Sequence, residues 1–243
     1  MDLEGKVAIV TGGAVRLGRE IVLALAEAGI NIALHYGRSS EAAAETLAQV
    51  SSRGARGISI QADLRDPVPA AARILEITVG EFGRADILVN NAAIFEAGTL
   101  ATTTAEQWDR HFTINLKAPF LLCQAFAQQL QPDQQAHIVN IVDWRATRSD
   151  PEFTAYSLTK HSLASLTESL AQQLAPYVQV NAIAPGAVLP PPGHDQTYLD
   201  RLAETIPLGR TTTTAEITRT LSFLLRSECI TGEIIHVAGG QQL

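Results

Sequence analysis

The sequence predicts an α/β fold: a single Rossmann-like, doubly wound domain with a seven-stranded parallel sheet and helices on both faces. Seven short β-branched runs, at 7–11, 31–35, 57–61, 87–90, 137–142, 178–183 and 233–237, read as strands, and amphipathic stretches of helical length fill most of the gaps. Strand and helix in alternation imply a parallel sheet, because each right-handed crossover packs its helix back onto the sheet. With 243 residues, 46% of them hydrophobic, the chain can bury one substantial core, so 1–243 is expected to be one domain.

Helix punctuation agrees with this order. Gly29 stops the apolar pattern of 17–28, and Thr104 with Gln107 has capping-box spacing ahead of a long helix. Thr213 with Glu216 repeats that signal. The segment at about 187–212, with prolines from Pro190 and a threonine cluster at 211–214, reads as a mobile loop. It follows the sixth strand, on the carboxyl edge where open α/β sheets bind ligands, so a lid over a substrate is expected.

The formal charge of −7 comes without any Lys/Arg block, which argues against nucleic acid or an anionic membrane as partner and favours a small molecule. Cys123 and Cys229 stand far apart without ligand spacing and read as inert core thiols. His111, His137, His161 and His194 also lack ligand spacing, so no metal is implied. No leader pattern or membrane-length apolar run occurs, and the expected location is the cytoplasm.

The first strand runs into Thr11, Gly12, Gly13, Ala14, Val15, Arg16, Leu17 and Gly18 and then a helix. Glycines in that context let backbone amides at a helix N-terminus approach a pyrophosphate. After the second strand stand His35, Tyr36, Gly37, Arg38 and Ser39, with no carboxylate to hold an adenosine ribose. Arg38 and Ser39 suit a 2′-phosphate instead, which predicts NADPH. Tyr156 and Lys160, four residues apart, share one face of a helix, where an ammonium can help to stabilise a phenolate.

These motifs resemble the short-chain dehydrogenase/reductase family over nearly the whole chain. Thr11, Gly12 and Gly18 match its glycine turn, with Arg16 replacing the middle glycine. The resemblance implies that Asp63 and Leu64 hold the adenine, that Asn91 and Ala92 follow the family's Asn-Asn-Ala pattern, and that Pro185 and Gly186 seat the nicotinamide end. It further implies that Tyr156 transfers the proton and Lys160 depresses its pKa and binds the ribose. Asn115 corresponds to the asparagine supporting a proton-relay water, and a homotetramer is expected through helices around 107–130 and 156–174 with the C-terminal strand region.

One departure is chemical. Thirteen residues before Tyr156 the family usually has serine; here Asp143 stands. Serine can donate to a carbonyl, whereas an ionised aspartate only accepts, which favours a ring rich in N–H groups. Asp143, Arg16, the run at 35–39 and Phe95, a flat apolar face for a heterocycle, together resemble the pteridine reductase and dihydromonapterin reductase subgroup. The resemblance implies hydride transfer from NADPH to a pterin or dihydropterin such as dihydrobiopterin, dihydromonapterin or dihydrofolate, with protonation by Tyr156 assisted by Asp143. The alternatives are a carbonyl reductase of the 3-oxoacyl-acyl-carrier-protein type and, from a different class, a non-catalytic NADPH-binding sensor. Trp144 and Arg145 are assigned no role.

Overall fold

The computed structural model describes residues 1–191 and 193–243; Pro192, inside the expected loop, lies outside the described residues. The elements in chain order are β1 (Val7–Val10), α1 (Arg16–Glu27), β2 (Asn31–Tyr36), α2 (Ser40–Ser52), β3 (Gly57–Gln61), α3 (Pro67–Phe82), β4 (Ile87–Asn90) and α4 (Ala105–Phe112). They continue with α5 (Ala118–Gln128), β5 (Ala136–Ile141), α6 (Thr154–Leu174), β6 (Val178–Pro185), α7 (Gln196–Ala203), α8 (Thr214–Arg226) and β7 (Ile234–Val237). All seven predicted strands form, in the order β3-β2-β1-β4-β5-β6-β7, and every pairing is parallel.

Central parallel strands are covered on both faces, so they read as continuous apolar runs, and all four residues of β1 are buried. Side-chain alternation sorts them between two cores. Ala8 and Val10 pack with Ile21, Val22, Ile217 and Leu221 of α1 and α8. Ile9 points the other way and packs with Ile74, Leu122 and Phe126 of α3 and α5. The strand order reverses between β1 and β4, and their carboxyl ends lie side by side, with Val10 opposite Val89. That switch point opens the crevice in which such sheets bind ligands.

Three expectations need correction. The long helix after Thr104 is interrupted by a π-helical turn, Thr113–Lys117, because the Asn115 side chain turns aside to bond the backbone of Ile94. The segment at 187–212 is not all loop: it contains α7, whose N-terminus is capped by the Asp195 carboxylate accepting from the Thr197 N–H at 3.0 Å. Its threonine end is pinned, with the Thr212 hydroxyl donating to the Val237 carbonyl at 2.7 Å. Finally, Cys123 is buried as expected but Cys229 is exposed.

The Thr213–Glu216 capping box forms in both directions. At Thr104 only half forms: its hydroxyl accepts from the Gln107 N–H, while the Gln107 amide donates to the Ala97 carbonyl at 2.8 Å. Among the described residues no helix is long and apolar enough to cross a membrane.

Phe126 has no exposed surface and anchors the α3–α5 core. Phe126→Ala should therefore lower unfolding free energy by about 3–5 kcal/mol in urea denaturation. A loss under about 1 kcal/mol would show that this core closes over the cavity.

Candidate active site

The crevice is built around the glycine turn. Gly12 has φ +62°, in the left-handed region that glycine adopts without steric cost. At Gly18 a side chain is excluded: a Cβ would lie 2.1 Å from the Gly12 carbonyl oxygen. The Thr11 hydroxyl accepts from the N–H groups of Asn91 and Ala92 at 2.9 and 3.0 Å, and the Asn91 amide donates to the Thr11 and Gly12 carbonyls at 2.8 and 3.2 Å. Thr11, Gly12 and Asn91 thus knit the turn to the end of β4. The N-terminus of α1 carries no side-chain cap and no acidic residue in its first turn, a backbone cradle that fits a pyrophosphate.

His35 does not point outward. Its Nδ1 accepts the Gly12 N–H at 3.2 Å, so the proton is on Nε2, which donates to the Ala62 carbonyl at 3.1 Å. Burial lowers its pKa and keeps the ring neutral. His35 is thus a prop beneath the turn, and it also lines the cavity beside it.

A cavity of about 430 Å³ opens beside it, lined by Gly12, His35, Arg38, Asp63, Leu64 and Ala92 among others. Hydrogen bonds from Arg65 hold the Asp63 carboxyl at about 2, and the two form an ion pair at 2.5 Å. Ser39 leads into α2 with its hydroxyl free of any cap bond, and Tyr36 packs against the core beside the turn.

A second cavity, about 520 Å³, lies at the carboxyl edge and brings together Arg16, Leu17, Phe95, Asp143, Tyr156, Lys160, Pro185 and Gly186. The Tyr156 hydroxyl donates to Asp143 Oδ2 at 3.1 Å, and the Lys160 ammonium donates to the Ile141 carbonyl at 2.9 Å. Burial, then the Asp143 charge, pushes the Tyr156 phenol well above its ordinary value. Burial draws the Lys160 ammonium down to about 8. The phenol is therefore held as a proton donor, raised first by burial and then by the Asp143 carboxyl, with the Arg145 guanidinium opposing the rise.

Asp143 is itself raised by burial, a shift opposed first by the Arg145 guanidinium. Asn115 does not line this cavity: its amide is committed to the Ile94 carbonyl and the Thr159 hydroxyl, at 2.9 and 3.3 Å.

Phe95 lies parallel to Phe153 with centroids 4.4 Å apart and meets Tyr156 edge-on at 4.7 Å. Residues passed over in the sequence also line the cavity: Arg145, and Tyr198, Leu199 and Leu202 from α7. Arg145 stands two positions from Asp143, a spacing that could have flagged it. The contributors from α7 lie in the segment expected over the substrate, but the sequence singles out none of them. A larger groove of about 750 Å³ lies elsewhere, between α4, α5 and α6, lined by Phe112, Leu116, Phe120 and Leu166, and it contains neither Asp143 nor Tyr156.

Residues 6–197 match the short chain dehydrogenase family. The chain belongs to that family. A 3-oxoacyl-acyl-carrier-protein reductase FabG of Staphylococcus aureus is 34% identical over 247 aligned residues, 98% of each chain. Among solved structures, the FolM alternative dihydrofolate reductase 1 from Brucella canis, complexed with NADP, is 34% identical with a TM-score of 0.92, covering 100% of this chain and 96% of that one. A blue fluorescent protein from a metagenomic library, in complex with NADPH, is 30% identical with a TM-score of 0.90, covering 99% of each.

Arg16, where the family's turn has a glycine, stands in the left-handed region with φ +54°. A left-handed non-glycine residue costs about 1–2 kcal/mol. Its guanidinium donates to the Leu189 and Pro190 carbonyls at 3.4 and 3.0 Å, bridging the turn to the segment over the second cavity.

Two buried histidines make stability depend on pH. His35 is lowered from 6.5, and His137 is lowered to about 4 by burial. The unfolded chain binds the extra protons, so their contribution is complete above about 6.5 and is lost as pH falls towards 4. Urea unfolding at several pH values should show this decline, and His137→Gln should flatten it. An unchanged slope would remove His137 as its source.

Proposed function

We propose that the protein is an NADPH-dependent pteridine reductase, reducing a C–N double bond of a pterin or dihydropterin such as dihydrobiopterin, dihydromonapterin or dihydrofolate. The observation that carries this reading is Asp143, whose carboxylate accepts from Tyr156 at the wall of the second cavity, where a ketone-reducing relative would need a donor. The likeness to a dihydrofolate reductase from Brucella canis supports it.

NADPH would be held by Thr11, Gly12, Arg16, Leu17 and Gly18 at the turn and by Tyr36, Arg38, Ser39, Asp63 and Leu64 at the adenosine end, with His35 beneath. Asn91, Ala92, Lys160, Pro185 and Gly186 would hold its nicotinamide half. When bound, it supplies the hydride.

The chain's own residues do the rest. Phe95 offers an apolar face to the pteridine, Arg16 reaches it from the turn, and ionised Asp143 accepts ring N–H and NH₂ groups. Tyr156 gives its proton to the ring nitrogen as the neighbouring carbon receives the hydride. Lys160, charged at neutral pH, orients the ribose and stabilises the phenolate that results. Asn115 acts through the backbone of Ile94 as a positioning residue.

The chain works as one domain whose segment at about 187–212 covers the substrate. The enzyme would work in the cytoplasm as a homotetramer; the apolar groove lined by Phe120, and the exposed Trp108 and Leu158 on α4 and α6, would supply part of its contact. The second reading, 3-oxoacyl-acyl-carrier-protein reduction, is favoured by the Staphylococcus aureus relative; Asp143 opposes it.

NADPH consumption with dihydrobiopterin, dihydromonapterin, dihydrofolate and an acetoacetyl thioester, at matched concentrations, decides between them. Turnover of the pterins alone is expected; turnover of the thioester alone would overturn the proposal. Asp143→Ser should cut pterin turnover by about 100-fold while NADPH affinity, read by nucleotide fluorescence, holds.

The alkaline side of the pH dependence follows from Lys160. Because its free-enzyme value is about 8, kcat/KM should fall as pH rises through that value and the ammonium loses its charge. Activity still level at pH 10 would exclude that role.

A further inference from the structure

Resting on the reading of Asp143 as a substrate contact, we propose that Arg145 is a positioning residue for the reaction. It fixes one oxygen of Asp143 so that the other faces Tyr156 and the substrate, and it keeps the carboxyl charged.

The Arg145 backbone N–H donates to Asp143 Oδ1 at 2.8 Å and the guanidinium reaches the same oxygen at 3.3 Å. Oδ2 is left to accept from the Tyr156 hydroxyl at 3.1 Å. On its far side Arg145 Nε donates to Asp150 Oδ2 at 2.7 Å. The side chains of Asp143, Arg145 and Asp150 are 16%, 16% and 17% exposed, so water screens this triad weakly. Three rings enclose the guanidinium: Trp144 at 4.4 Å, Phe153 at 5.0 Å and Phe95 at 5.5 Å from its carbon to each centroid. One side chain therefore orients the carboxylate and backs the ring offered to the substrate.

A buried carboxyl beside a phenol tends towards its neutral form. A neutral Asp143 would donate from one oxygen and lose its preference for N–H groups. The charged and titratable groups facing it are Tyr156 and Lys160 from α6 and Arg145 from the short helical turn Trp144–Ala146, with Asp150 behind Arg145 and Arg16 across the cavity. His111 of α4 faces Tyr156, with ring centroids 6.5 Å apart. Among the described residues, Arg145 is the one cation within ion-pair distance of the carboxylate. Asp150 competes for the same guanidinium, so Arg145 and Asp150 should affect Asp143 with opposite sign.

The test is the acid limb of kcat for whichever substrate the panel identifies, together with a carbon-NMR titration of labelled aspartate carboxyls, the Asp143 signal being assigned with Asp143→Asn. In Arg145→Gln the limb and the NMR titration should move up by about 1–3 pH units. Arg145→Lys should return part of that shift, and Asp150→Asn should move both downwards. NADPH affinity should stay unchanged in all three. An Asp143 titration unmoved in Arg145→Gln, or moved the same way by Asp150→Asn, would overturn the proposal and leave Arg145 as packing. The NMR titration needs no substrate, so it reads the coupling even if the panel shows no pterin turnover, an outcome that sinks the functional reading alone.

Discussion

Everything in the crevice is hung from the bonds that the Thr11 hydroxyl and the Asn91 carboxamide make between the ends of β1 and β4. Two parallel strands that diverge at a switch point leave backbone groups without ladder partners, and a buried group left unpaired costs about 1–3 kcal/mol. Thr11 and Asn91 satisfy those groups and in doing so set the height of the glycine turn. The His35 ring then supports the turn from below, and the close approach of Gly18 fixes where α1 begins. Both cavities inherit their walls from this knot.

The second cavity is governed by charge in a poorly screened place. Lys160, Tyr156, Asp143 and Arg145 lie within one wall, and each moves its neighbours. Burial disfavours the charged forms of Lys160, Tyr156 and Asp143, while the Arg145 guanidinium keeps its charge. Their mutual contacts oppose that tendency, and the Tyr156 phenol is left bonded to the Asp143 carboxyl, the arrangement of an acid with its proton in place.

Most of the fold was legible because buried parallel strands write themselves as short β-branched runs, and all seven runs became strands. The site was legible where one residue type has one use, as with the glycines at 12 and 18, Tyr156 with Lys160, and Asp143 in place of serine. Other features depended on tertiary contacts without a local pattern. The π-helical turn at Asn115 arises from a bond to Ile94 across the chain, and α7 hides because its eight residues sit beside prolines and glycine. Arg145 had no legible role because nothing local to an arginine shows the two carboxylates and three rings that surround it. The bonds of His35 to Gly12 and Ala62 had no sequence signal, since sequence gives a side chain's station but not its direction.

The left-handed backbone at Arg16 sets torsional ease against a long-range tether at a single position. A glycine there would relieve the strained torsion, and the folded chain would gain by it unless flexibility in the unfolded state took the gain back. The same exchange would leave the Leu189 and Pro190 carbonyls without their guanidinium and the turn without its cation. Torsional ease and the tether to the segment over the second cavity therefore pull this position in opposite directions.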